Sequence, residues 1–116
     1  CQKQSGSAFG MAIMVPSDAI TVLKGEAKTY TKTAASGRES DCNFCPECGN
    51  RIFHRGKDAP MASVKTGLLD DASGIEPAAH LWTSQAHDWV TIPDDVLQYE
   101  TQPEGGMGPV IEAYKG

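Results

Sequence analysis

Cys45 and Cys48, in the run NFCPECGNRIFHR from Asn43 to Arg55, are the side chains of this chain whose spacing points most directly to chemistry. Two thiolates three positions apart can close on one metal when a tight turn folds their sulfurs toward a common point about 2.3 Å from each. Pro46 pre-sets that turn, and Gly49 permits the positive φ that lets backbone N–H groups approach the second sulfur. A redox C-x-x-C is the lesser reading, because the motif opens no helix, where a lowered thiol pKa would be expected. A structural zinc takes four ligands, and this turn supplies two. The chain holds only four cysteines and three histidines, so the remaining candidates are few. Cys42 extends the run to C-x-x-C-x-x-C, yet on an extended strand it falls a strand-length outside the turn. It reads as a small non-ligating thiol. His54, six residues after Cys48, reads as a surface residue on the polar face of a strand, with ligation the lesser alternative. Spacing alone does not assign Cys1.

The elements that must position the pair are short strands separated by turn residues. Arg38 to Phe44 and Arg51 to Arg55 flank the cysteines as the arms of a hairpin. Phe9 to Val15 alternates, with Phe9, Met11, Ile13 and Val15 on one face, and Pro16-Ser17-Asp18 ends it. Ile20 to Leu23, Ala27 to Thr31, Met61 to Thr66, Ala79 to Thr83 and Trp89 to Ile92 are further predicted strands. Pro93 to Leu97 is a predicted helical turn, since proline favours the first helical position. No heptad pattern, internal repeat or long amphipathic helix is present. The expected fold is mainly β, as one domain over residues 1–101, with a peripheral Gly- and Pro-rich tail over 102–116.

Composition narrows the function. The 116 residues, 40% hydrophobic and with 12 Gly and 7 Pro, suit one small folded domain with a thin core, of the kind that gains from a metal or a partner. A net charge of −5 with ten dispersed basic residues argues against a nucleic-acid partner, which needs clustered Lys and Arg. No stretch nears the roughly 20 apolar residues of a membrane span. The residues after Cys1 lack the layout of an export signal, so the cysteines read as metal ligands rather than disulfides, in a cytoplasmic protein. A start at Cys1 without an initiator Met is expected of the C-terminal part of a longer sequence.

The segments CQKQSGSAFGMAIMVP, NFCPECGNRIF, GLLDD and AHLWTSQAHDWVTI follow one another as they do in the glutathione-dependent formaldehyde-activating enzymes, a family that includes centromere protein V. The chain resembles this family from Cys1 to about Tyr99. The resemblance implies a β-tent fold of short antiparallel strands and two zinc positions. One is structural, formed by an N-terminal C-x-C and a C-x-x-C that matches Cys45 and Cys48. The other is catalytic, held by a C-x-C-x-x-C whose last cysteine matches Cys1. The C-x-C and the two cysteines that should precede Cys1 are absent from this sequence, and truncation is the simplest account.

Family members assigned as enzymes are carbon–sulfur lyases that join formaldehyde to glutathione as S-(hydroxymethyl)glutathione. The resemblance therefore implies zinc as cofactor and a small thiol as partner, and a homodimer is compatible with it. His80 is the candidate for proton handling, because an imidazole titrates near neutrality. Ser5, Gly6 and Trp82 are candidates for substrate contact, although Trp82 and Trp89 also read as packing residues. Phe9 reads as core and His87 as an ordinary loop histidine. The alternative function is a non-catalytic zinc module that binds a protein partner. That branch should carry a basic or disordered extension, which this acidic chain does not show.

Overall fold

The computed structural model describes residues 2–34 and 36–114. They form two compact units, Cys1–Asp70 and Asp71–Gly116. In the first unit, five strands make one antiparallel sheet: β1 (Ala12–Pro16), β2 (Lys28–Thr33), β3 (Glu39–Phe44), β4 (Arg51–Gly56) and β5 (Met61–Lys65), in the order β1-β5-β4-β3-β2. β2 through β5 are a meander, each strand paired with the next. Only β1 arrives from elsewhere in the chain, to pair with β5. A four-residue helix, α1 (Gln2–Ser5), precedes the sheet.

The turn chemistry explains the meander. Gly37, at φ 86°, closes β2 onto β3, where the Ala34 amide donates to Arg38 O at 2.9 Å. Between β4 and β5, Asp58 adopts the left-handed conformation at φ 59°, one that aspartate tolerates better than most residues. β1 is pinned at its far end by Ser17. The Ser17 amide donates to Pro60 O at 2.8 Å, and its hydroxyl donates to Ala59 O at 2.7 Å.

Directly opposed residues share a face of an antiparallel pair, so the register sorts the side chains. Ile13, Val15, Phe53, Ala62 and Val64 lie on one face with Thr31 and Asp41, which are hydrogen-bonded to each other at 2.8 Å. Tyr30, Cys42, His54, Ser63 and Met14 run across the opposite face, each opposed to the next. Among the described residues of this unit, Cys42, Phe53, Ala62 and Thr66 are buried. The core is thin, as the composition predicts. Cys42 is a buried thiol at mid-strand.

The second unit carries a two-stranded sheet of β6 (Ala79–Leu81) and β7 (Leu97–Tyr99), and a short helix, α2 (Gly108–Ala113), with proline in its first turn. β6 and β7 are parallel, which departs from the wholly antiparallel expectation. The five-stranded sheet meets that expectation. The fold is mainly β.

Several predicted elements are corrected. Ile20 to Leu23 is not a strand: it has no sheet partner, and Val22 and Leu23 are 54% and 92% exposed. Trp89 to Ile92 is a turn and irregular chain, and Pro93 to Leu97 is a turn closed by Val96 N to Pro93 O, with β7 beginning at its end. Phe9 does not fill the core; it precedes β1 and is 56% exposed. No helix among the described residues is long and apolar enough to cross a membrane.

Candidate metal centre

The β3–β4 hairpin is closed by the turn that carries Cys45 and Cys48. The Cys45 amide donates to Asn50 O at 2.9 Å and the Gly49 amide donates back to Cys45 O at 2.8 Å, with Gly49 at φ 77°. A side chain at Gly49 would meet no neighbour, so the left-handed backbone, not lack of space, is what favours glycine there. The turn also sets the electrostatics of the sulfur. Hydrogen bonds from the Cys48 and Glu47 amides, and then from the Cys48 thiol, hold the Cys45 thiol below its ordinary pKa against the opposing charge of Glu47. Both cysteines are free thiols. Amides aimed at the Cys45 sulfur, and a second thiol donating to it, favour a thiolate at Cys45 over the neutral thiol. This donor set fits one half of a tetrahedral zinc site.

No third ligand joins them among the described residues, where no group of three His, Cys, Asp or Glu side chains could hold a metal. Cys42 instead sits between Tyr30 and His54 on the neighbouring strands. Cys1 lies outside the described residues. Ser5 and Gly6 close α1, where Gly6 takes φ 60° and Ser5 Oγ lies 3.4 Å from both Gln2 O and Phe9 O. In the second unit, His80 is half-buried on β6 opposite Gln98. Trp82 follows at φ 58°, half-exposed, with its indole N–H donating to Gln102 Oε1 at 3.3 Å. Trp89 is 72% exposed and stacks on His87 at 5.9 Å between ring centroids.

His54 is not the surface residue that its alternation implies. It is half-buried in mid-sheet, and its Nδ1 is buried without a hydrogen-bond partner. Burial first, then the positive charges of Lys65, Arg51 and Lys32, push its pKa down to about 4. The folded value lies below the unfolded one, so between about pH 6.5 and 4 the unfolded chain takes up a proton that the native imidazole refuses. This contribution to stability is complete above the unfolded pKa and is lost as pH falls toward 4. The side chain is partly solvated, so its share is about 1–2 kcal/mol. Urea unfolding at pH 7 and pH 4.5 should show wild type losing that much more than His54→Gln. Equal losses would show that His54 does not titrate in this way.

Sequence reasoning missed the group around His54. Arg51 places its guanidinium 6.0 Å from the centroid of Tyr30 and 5.9 Å from that of Phe44, and Lys65 joins them from β5. The only signal was the two-residue alternation within each strand. Which strand lies beside which was not written in it.

An antiparallel sheet whose central hairpin closes in a cysteine pair defines a class: small β proteins with a cysteine knuckle. Residues 1–85 match the family model of the glutathione-dependent formaldehyde-activating enzyme, and the chain belongs to that family. The match includes the knuckle, His80 and Trp82. No curated protein matches the chain.

Proposed function

We propose that the chain is the core of a zinc-dependent carbon–sulfur lyase that interconverts a small thiol and formaldehyde with their S-hydroxymethyl adduct, glutathione being the first thiol to test. The observation that carries this reading is the cysteine knuckle, with its sulfur-directed amides, inside an 85-residue match to an enzyme family named for this reaction. In the forward direction the sulfur–carbon bond forms, the carbonyl π bond breaks, and the thiol proton ends on the new hydroxyl.

Cys45 and Cys48 would hold a structural zinc, and Cys1 would be one ligand of a second, catalytic one. Zinc bound there would supply the positive charge that favours thiolate over thiol near neutral pH. His80 is assigned the proton that moves between sulfur and oxygen. Ser5 is assigned a hydrogen bond to the substrate, Gly6 its close approach, and Trp82 an apolar wall. The reading includes a β-tent arrangement over residues 1–101 with a peripheral tail, a cytoplasmic setting, and no nucleic-acid or membrane partner. A homodimer is compatible with it.

Isotope exchange between formaldehyde and S-(hydroxymethyl)glutathione, corrected for the spontaneous reaction, tests the proposal on the full-length protein. Wild type should exchange above background, and Cys1→Ala should lose the catalytic metal and the rate together. Two bound zincs with no exchange for glutathione or other small thiols would defeat the lyase reading and favour a binding module. Retention of both metal and rate by Cys1→Ala would remove the role given to Cys1.

A further inference from the structure

One face of the five-stranded sheet is basic in an acidic chain. Lys28 and Lys32 flank Tyr30 on β2, and the register puts them on the face of Cys42 and His54. Arg51 opposes Phe44 and lies over Tyr30 on that same face. Lys65 follows Ser63, the partner of His54, by two positions on β5 and joins them. The acidic residues of these strands, Glu39 and Asp41, occupy the other face. Four cations therefore share one face, and among the described residues no carboxylate forms a salt bridge with any of them.

Such a grouping is unfavourable unless an anion completes it. Two further observations point to a missing partner. Arg51 Nη1 and His54 Nδ1 are both buried and make no hydrogen bond, which costs about 1–3 kcal/mol for an ordinary polar group and more for a charged one. Lys65 is half-buried, and that burial, with the charge of Arg51, lowers its pKa against the pull of Cys42.

We infer that this face, centred on Arg51 and Lys65 with Lys28 and Lys32 at its β2 edge, binds the carboxylates of the substrate. The inference rests on the proposed lyase reading, in which the thiol is a peptide with two carboxylates. A guanidinium matches a carboxylate through paired N–H donors, and a lysine ammonium serves as a point charge. β2 and β5 are three strand spacings apart, roughly 14 Å. An extended tripeptide covers about 10 Å, and flexible lysine stems bridge the difference. Tyr30 and Phe44, already beneath Arg51, supply the apolar floor on which the ligand's backbone rests.

Isothermal titration of the full-length, zinc-loaded protein with S-methylglutathione, whose capped sulfur takes the thiol chemistry out of the comparison, provides the test. Its diethyl ester, which lacks the anionic charges, should bind at least about tenfold more weakly. Arg51→Gln and Lys65→Gln should each weaken the acid about fivefold or more and leave the ester unchanged. If Arg51→Gln fails to fold by circular dichroism, Lys65→Gln and Lys32→Gln carry the comparison. Equal affinity for acid and ester, binding of neither, or unchanged affinity in folded variants would overturn the inference. So would tighter binding of a single-stranded oligonucleotide to the same residues. Wild-type exchange rates in both variants with an unchanged KM for glutathione would remove the site and spare the lyase reading. Charge-dependent binding with no exchange would do the reverse.

Discussion

Replacing Cys45 and Cys48 together by serine is expected to remove one zinc from the full-length protein and most of its stability. The core is small: among the described residues of the sheet unit, only Cys42, Phe53, Ala62 and Thr66 are buried. A domain of this size holds about 5–15 kcal/mol in total. Structural zinc in small domains contributes binding energy of about 10 kcal/mol or more to folding, enough to decide whether the β3–β4 hairpin persists. Serine keeps the shape of the turn and its backbone hydrogen bonds, so any loss reports on sulfur as a ligand. Metal analysis and thermal unfolding of wild type and the double variant check this. Unchanged zinc content, or an unchanged Tm with the metal gone, would show that the knuckle is not the structural site.

Phe53→Ala should be the most damaging single truncation in the sheet. Phe53 is 7% exposed, it opposes Asn43 and Val64 on the neighbouring strands, and Arg55 lies over its ring at 5.8 Å. Loss of a buried phenyl ring costs about 3–5 kcal/mol where the site does not collapse. Here the ring is at the margin of a thin core, so about 3 kcal/mol is expected. Leu23→Ser, at a side chain 92% exposed, should stay within about 0.5 kcal/mol of wild type. Denaturant unfolding of both variants, with unchanged slopes, measures the contrast. A cost for Phe53→Ala no greater than that for Leu23→Ser would place the core elsewhere.

The hairpin around the cysteines was legible because its signals were local. C-P-E-C-G fixes a turn, and the alternation on either side fixes two arms, which appear as Glu39–Phe44 and Arg51–Gly56. Ile20 to Leu23 carried the same apolar, β-branched composition without a sheet partner, and composition does not reveal whether a partner exists. Trp89 misled in a similar way: two tryptophans near a strand look like core, but Trp89 stacks on His87 in the open. β7, Leu97–Tyr99, was missed because Pro93 drew its first residue into a predicted helical turn. The basic face was the least legible feature. Its cations come from β2, β4 and β5, and ten dispersed basic residues in a chain of net charge −5 suggested no concentration of charge. Only the register gathers them. His54 followed the same rule, since a polar residue in mid-strand is exposed or half-buried according to which strands flank it.

The pinning of β1 by Ser17 bears on the order in which the sheet assembles. The meander from β2 to β5 closes through short turns, so each of its pairings joins residues near in the chain. β1 must instead find β5 across a span of 42 residues between Ser17 and Ala59. Closing a loop of that length costs about 1.7 kcal/mol more in chain entropy than closing one of six residues. The two hydrogen bonds of Ser17, each worth about 1 kcal/mol net, offset that difference once β1 is in place and give little before it arrives. Pairings of large sequence separation form slowly. β1 is thus expected to be the last strand to dock in this sheet, with Ser17 as the latch that holds it there.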